Sequence, residues 1–293
     1  MKNIIFFLLL SLASNVWGKN QPTHINEIDL PHFFSNMSKD RGEWKIKNIE
    51  NSFKKVTPTV YFSETETTIE QYNYYLTALL KNKEYDRLMV SKVEKTAWRS
   101  YLPKEYTSLS DAAIFEYAHP DTDYCPVQNI AHAGAKGFCE WLTEWYNSNR
   151  WGDTQKYKKV VFRLPTEAEW MMAAHGGRDV SFLYPYGNEF RNTKGCFLNN
   201  FNCNDEACNE CKISQKTASK DGGFFPVKAD SYYPNDFGLY QIVGNIAEMI
   251  DKEGIAKGGS WEDAPYNCTI QSQKIYTSSS PAIGFRVVMQ IIE

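Results

Sequence analysis

The residues of this 293-residue chain best suited to chemistry are its seven cysteines, Cys125, Cys139, Cys196, Cys203, Cys208, Cys211 and Cys268. Four of them, Cys196 to Cys211, fall in one short stretch, where Cys203, Cys208 and Cys211 follow a C-x4-C-x2-C spacing. Thiolates so placed could hold a soft metal ion or close local bridges. Zinc knuckles usually pair their cysteines more tightly and often add histidine. In an oxidising compartment two local disulfides are the better expectation, and the odd count leaves one thiol over. Cys268 stands apart from the rest. Histidine chemistry is poorly provided for. His24, His32, His119, His132 and His175 are scattered, and no H-x3-H pair would put two imidazoles on one helix face.

Few regular elements are available to position these groups. Thr59 to Phe62 is a short strand-like run, and Thr67 to Leu80 carries apolar residues at helical spacing. Ala131 to Tyr146 is a second helix, with Phe138, Trp141, Leu142 and Trp145 on one side. Val160 to Phe162 is another short strand. Directly after it, Thr166 and Glu169 form a capping box, each side chain satisfying an orphan backbone donor of the other. That helix should end at Gly176-Gly177. The remainder is rich in Gly, Asn, Asp and aromatics, with no long helix or strand. Loops this extensive need pinning by buried aromatics, bridges or bound cations. The expected fold class is therefore α+β, one irregular, loop-rich domain low in regular secondary structure.

Composition sets outer bounds. At 42% hydrophobic and 15% aromatic the chain can build a core, but it has too little apolar material for several membrane spans. A formal charge of −3 provides no field to gather nucleic acid. Lys2 followed by the apolar run Ile4 to Ala13 and then Val16-Trp17-Gly18 reads as a cleaved signal peptide, residues 1–18. The run is too short to span a bilayer as a helix, and no cysteine lies at the cleavage site for a lipid anchor. The organisation expected is signal peptide 1–18, N-terminal arm 19–55 and folded domain 56–293. The product would be periplasmic or secreted, with no transmembrane segment once the signal is removed.

The order of the motifs carries a resemblance. A strand-like run, TETTIEQYNYYL, PVQNIAHAGAKGFCEWL, RLPTEAEW, YPYGN, PNDFGLYQIVGNIAE, KGGSW and GFR occur in succession between Val56 and Val288. In this the chain resembles the sulfatase-modifying-factor family, the formylglycine-generating-enzyme domain, a variant of the C-type-lectin-like fold. The stretches TAWRS, HPDTDYCPV, KGCFLNNF, GGSWED and IGFR are further similar to members linked to gliding motility and type IX secretion, the K- and J-type exported structural components. This chain lacks their lipid-anchor cysteine.

The resemblance implies a chemistry that can be checked residue by residue. Catalytic members oxidise a substrate cysteine to an aldehyde with oxygen and a copper(I) ion held by two thiolates, three and eight residues after the serine of the GGS motif. Counted from Ser260, these positions are Asp263 and Cys268. A carboxylate is a hard donor and does not replace thiolate toward Cu(I). Ser260, Asp263 and Cys268 are thus the candidate catalytic positions, but copper and a working oxidase are not expected. Iron, as in related enzymes, would need the histidine cluster that is missing.

Calcium is the better cofactor prospect. The resemblance implies two structural Ca²⁺ sites. One falls on Gln241, Gly244, Ile246 and Glu248, with glutamine at a position where asparagine is usual. The other falls on Asn200, Phe201 and Asp221. Oxygen donors on curled loops suit a hard cation. Trp261 and Phe285 are expected core aromatics, and Arg163 and Arg286 hubs that hold loops. Trp261, Tyr266, Asn267 and Arg286 are the candidate ligand contacts; the resemblance implies that the stretch Asp263 to Ser280, where catalytic members read their substrate peptide, turns Tyr266, Asn267, Gln271, Gln273 and Tyr276 toward a cleft. The function expected is a non-catalytic, exported binding or envelope-assembly module with a protein partner. A formylglycine-generating oxidase and a lectin-like ligand binder are the alternatives.

Overall fold

The computed structural model describes residues 46–94, 98, 123–148, 155–202 and 225–293. The chain divides into two units, Met1–Gly42 and Glu43–Glu293, and every described residue belongs to the second. The signal peptide, the arm as far as residue 45, His24, His32, His119, Cys203, Cys208, Cys211 and Asp221 lie outside the described residues.

A short helix α1 (Ile46–Asn51) leads into β1 (Phe53–Lys55) and β2 (Val60–Ser63). The sequence reads this stretch before residue 56 as the end of a polar arm. Two residues make it part of the domain: Ile49 and Phe53 are buried, and β1 pairs antiparallel with β2. Next come α2 (Ile69–Lys81), α3 (Tyr85–Ser91), α4 (His132–Ser148), β3 (Val160–Arg163) and α5 (Glu167–His175). β2 and β3 alternate buried and half-buried residues, so Val60, Phe62, Val160 and Phe162 all point inward. The C-terminal strand β8 (Val288–Ile291) runs between β2 and β3, giving an antiparallel sheet of order β1-β2-β8-β3.

Two capping boxes form in this half, the expected one at Thr166 and an unforeseen one at Thr68. Thr68 and Gln71 cap α2 in the same reciprocal way as Thr166 and Glu169 cap α5. α5 ends, as expected, at a left-handed Gly176 with φ 61°. α2 and α4 meet through Tyr72, Tyr75, Phe138 and Trp141, whose rings pack at tilted, stacked and edge-on angles. The two tyrosine hydroxyls bond Ser91 on α3, each at 2.8 Å. That contact needs room on α4. A Cβ at Gly137 would lie 2.4 Å from the Tyr75 hydroxyl.

The second sheet is built from three-residue strands: β4 (Ala247–Met249), β5 (Ile255–Lys257), β6 (Gln273–Ile275) and β7 (Ile283–Phe285). Its order is β6-β5-β4-β7, antiparallel except for the parallel β4–β7 pair. Phe285 of β7 packs against Tyr72 and Phe138, which joins this sheet to the helices. Among the described residues no helix is long and apolar enough to cross a membrane. Strands of three or four residues hold little by their own ladders. The irregular half must be secured by buried side chains, and these define the site.

Candidate functional site

The loop from Gly258 to Cys268 leaves β5 and returns through a single 3-10 turn, Pro265–Asn267. Gly258 and Gly259 both have positive φ, 87° and 67°. At Gly259 the requirement is twofold, because a Cβ there would also lie 2.5 Å from the Cys268 sulfur. The close approach lets Ser260 and Asp263 form a tight reciprocal turn. The Asp263 N–H donates to the Ser260 carbonyl, while Asp263 Oδ2 accepts from the Ser260 N–H (3.0 Å) and the Ser260 hydroxyl (2.6 Å).

Lys274, from β6, completes this arrangement. Its ammonium donates to Asp263 Oδ2 at 2.7 Å, Glu262 Oε1 at 2.5 Å and Ser260 Oγ at 3.3 Å. Burial disfavours the ammonium, but the Asp263 and Glu262 charges more than offset it and hold Lys274 above its ordinary range. Cys268 lies beneath, fully buried. Its Sγ–H donates to the carbonyls of Ser260 (3.5 Å) and Asp263 (3.8 Å). Burial, with the Asp263 charge adding to it, pushes this thiol well up. The thiol is therefore protonated at neutral pH.

These residues do not fit a copper(I) ion. The position three after Ser260 is a carboxylate already holding three hydrogen bonds, and the one at eight is a neutral thiol. The other buried cysteines do not mend the deficit. Cys125 Sγ faces the Pro226 carbonyl, and Cys139 sits within α4 with its thiol raised by burial. Cys196 is exposed and carries a free thiol. The other three cysteines of the expected pair of bridges, Cys203, Cys208 and Cys211, lie outside the described residues. The Asn192–Cys196 turn is closed by Asn192, which accepts from the Lys194 and Cys196 N–H groups.

A second group of buried polar residues lies under the same loops. Arg286, fully buried, donates Nε (2.9 Å) and Nη2 (2.7 Å) to Glu248 Oε1, Nη1 to the Ser63 carbonyl and Nη2 to the Tyr240 carbonyl. Glu248 Oε2 accepts from the Trp170 indole at 2.7 Å. Arg286 thereby ties β2, β4, β7 and the 240s loop into one unit. Beside it Asn245, left-handed at φ 56°, donates to both oxygens of the buried Glu66 and accepts from the Val227 N–H and from Asn200 Nδ2. Burial, opposed by Arg286, raises the Glu66 carboxyl well above the carboxylate range.

The proposed calcium ligands divide in their fit. Gln241 is completely buried and left-handed (φ 49°), and neither its amide oxygen nor its nitrogen has a partner. Asn200 is also buried, and its Oδ1 lacks a partner while its Nδ2 bonds Phe225 and Asn245. Orphaned buried amide oxygens of this kind are what a hard cation would satisfy. Glu248 fits less well, since its two oxygens already take three N–H donors. Gly244 and Phe201 lie against each other, and the Asn200 carbonyl takes the Asn245 N–H. Asp221 lies outside the described residues.

The four candidate ligand contacts do not share a surface. Tyr266 and Asn267 are exposed on the 3-10 turn. Trp261 is buried, stacked on Trp98 at 6.2 Å and packed on Phe225 at 5.4 Å, and its indole donates to the Pro281 carbonyl. Arg286 is a hub, as described. His132 bonds the Ile250 carbonyl, and His175 is buried with its imidazole pushed down by desolvation. Among the described residues no group of three or more His, Cys, Asp or Glu side chains is placed to hold a metal ion. Sequence reasoning missed Lys274, Glu262 and Glu66. Lys274 lies between exposed Gln273 and Ile275 on a three-residue strand, and the one usable signal was that alternation.

With this geometry in place, comparison with known proteins is informative. A sequence model described as "Sulfatase-modifying factor enzyme 1-like domain" matches residues 36–291. The chain is 26% identical over 187 residues to "Formylglycine-generating enzyme" of Mus musculus, covering 55% of this chain and 43% of that protein. It is 27% identical over 179 residues to "Inactive C-alpha-formylglycine-generating enzyme 2" of Bos taurus, covering 55% and 49%. In both cases the match spans less than half of the relative's length. Among solved structures, PvdO from Pseudomonas aeruginosa superposes with a TM-score of 0.52 at 16% identity, covering 79% of this chain and 80% of that one. That likeness speaks to the fold alone.

Proposed function

The chain belongs to the sulfatase-modifying factor enzyme 1-like domain family, and from that premise we propose that it is an exported, non-catalytic member acting as a binding or envelope-assembly module. The observation that carries this reading is the engagement of Asp263 by Lys274 at 2.7 Å above a protonated, buried Cys268. Two thiolates are needed to hold Cu(I), and this loop presents one hard carboxylate donor and a single cysteine. The relatives it resembles include both active and inactive bearers of the domain. A domain without its redox centre still offers a rigid scaffold displaying Tyr266 and Asn267.

In this reading the partner is a protein of the cell envelope or an exported polypeptide. The gliding-motility and type IX secretion members are the favoured setting, on the motif likeness in residues 96–100, 194–201 and 258–263. Export rests on the signal-like residues 1–18. Calcium is the proposed cofactor, with Gln241 and Asn200 supplying side-chain oxygens and Phe201, Gly244 and Ile246 backbone carbonyls. When bound, it would satisfy these buried oxygens and hold the loops, and it would supply no reactive step.

The test is direct. Purified protein incubated with Cu(I), oxygen and a cysteine-containing sulfatase peptide should yield no aldehyde above a copper-free control, read by mass spectrometry of the peptide. Aldehyde formation with turnover would overturn the reading and make the chain a formylglycine-generating oxidase.

A further inference from the structure

The misfit at the loop after Ser260 is more specific than a missing ligand. Lys274 places a monovalent cation against two anionic donors, Asp263 and Glu262, with Ser260 Oγ as a third oxygen. All three N–H bonds of the ammonium are thereby used. The local charge is that of one +1 ion between two −1 donors. A copper(I) ion between two thiolates has the same balance. Softness alone separates them: carboxylates select an ammonium through hydrogen bonds, and thiolates select Cu(I).

Two further features bind the lysine to this place. It comes from a different strand, so its ion pairs fasten β6 to the 260–263 turn. Its side chain is only 23% exposed, and Asp263 and Glu262 are 24% exposed, so the cluster is largely withdrawn from water.

We propose that Lys274 is this chain's built-in cation: its ammonium occupies the donor set around position 263 that a metal ion would otherwise draw on. Replacing Asp263 by cysteine is then not enough to restore metal binding, because the lysine still fills the site and its positive charge repels the ion. Both changes are needed. The proposal rests on the non-catalytic reading but fails separately from it, because it concerns copper binding and not turnover.

The experiment uses the full mature chain as wild type, Asp263→Cys, Lys274→Met and the double variant. Cu(I) is offered anaerobically in competition with bicinchoninate, and thermal melts check folding. The expected result is one tightly held Cu(I) in the double variant, with both thiols shielded from alkylation. Asp263→Cys alone should hold copper at least a hundredfold more weakly. Equal affinity in Asp263→Cys and the double variant would overturn the proposal, as would no copper binding by a folded double variant. Wild-type protein gives a second reading that needs no variant. Acylation by acetic anhydride, followed by peptide mass spectrometry, should modify Lys274 at least tenfold more slowly than exposed Lys252. Equal rates would show that the ammonium is not held, and the proposal would fall.

Discussion

Arg286→Met should be the most damaging single change in the irregular half of the domain. The guanidinium is completely buried and gives four hydrogen bonds, two to Glu248 Oε1 and one each to the carbonyls of Ser63 and Tyr240. Methionine fills much of the volume but satisfies none of these acceptors. Glu248, with 1% of its side chain exposed, would keep only the Trp170 indole as donor. Breaking a buried pair by removing one partner costs about 3–5 kcal/mol, because a charge is left uncompensated. The two stranded carbonyls add roughly 1 kcal/mol each. Tertiary relaxation takes some of this back, leaving a loss of about 4–6 kcal/mol. For a domain of this size that is a fall in Tm of about 10–20 °C. Urea unfolding followed by tryptophan fluorescence measures it, and Trp170 reports directly on the site. Adding Glu248→Gln to Arg286→Met removes the orphaned charge and should recover about 1–2 kcal/mol, a coupling visible only in the double-mutant cycle. A loss under about 1.5 kcal/mol for the single variant, or no recovery in the double, would refute the argument that Arg286 holds these loops through Glu248.

Two more predictions follow from neighbouring groups. Glu169 is held down to about 2, first by its bidentate bond to Arg163 and then, against burial, by the Thr166 N–H. A depressed carboxyl stabilises the fold above its unfolded pKa, so this contribution is present above about pH 4.5 and is lost as pH falls toward 2. After discounting for its partial exposure it amounts to about 1–2 kcal/mol. Glu169→Gln should flatten stability between pH 4.5 and 2; an unchanged acid limb would contradict the pairing. For calcium, a chelator should lower Tm by about 5–10 °C relative to saturating Ca²⁺, from ligand binding of about 2–3 kcal/mol. Gln241→Leu should abolish that difference. A chelator-insensitive melt would remove the proposed cation.

The sequence by itself determined the three longer helices, α2, α4 and α5, and both ends of α5. Thr166 and Glu169 announce α5 because a capping box is local chemistry, complete within four residues. The apolar spacing of Tyr72, Tyr75, Phe138 and Trp141 marks two helices that have to meet, since a helix stripe has no other way to leave water. It also determined that oxygen, and not sulfur, stands three residues after Ser260. What Asp263 does there was decided by tertiary structure. Its partner Lys274 arrives from a strand eleven residues on, and Glu248 finds Arg286 across the β4–β7 pair. Strands of three residues carry too little periodicity to fix which face a side chain takes. Charge pairing between loops leaves no pattern in a single chain. Ile49 and Phe53 show the same limit, since residues of a polar segment became core only once β2 lay beside β1. Local hydrogen bonds are written in neighbouring residues; the balance of charge inside the loop-rich half exists only when distant segments are packed together and water is gone.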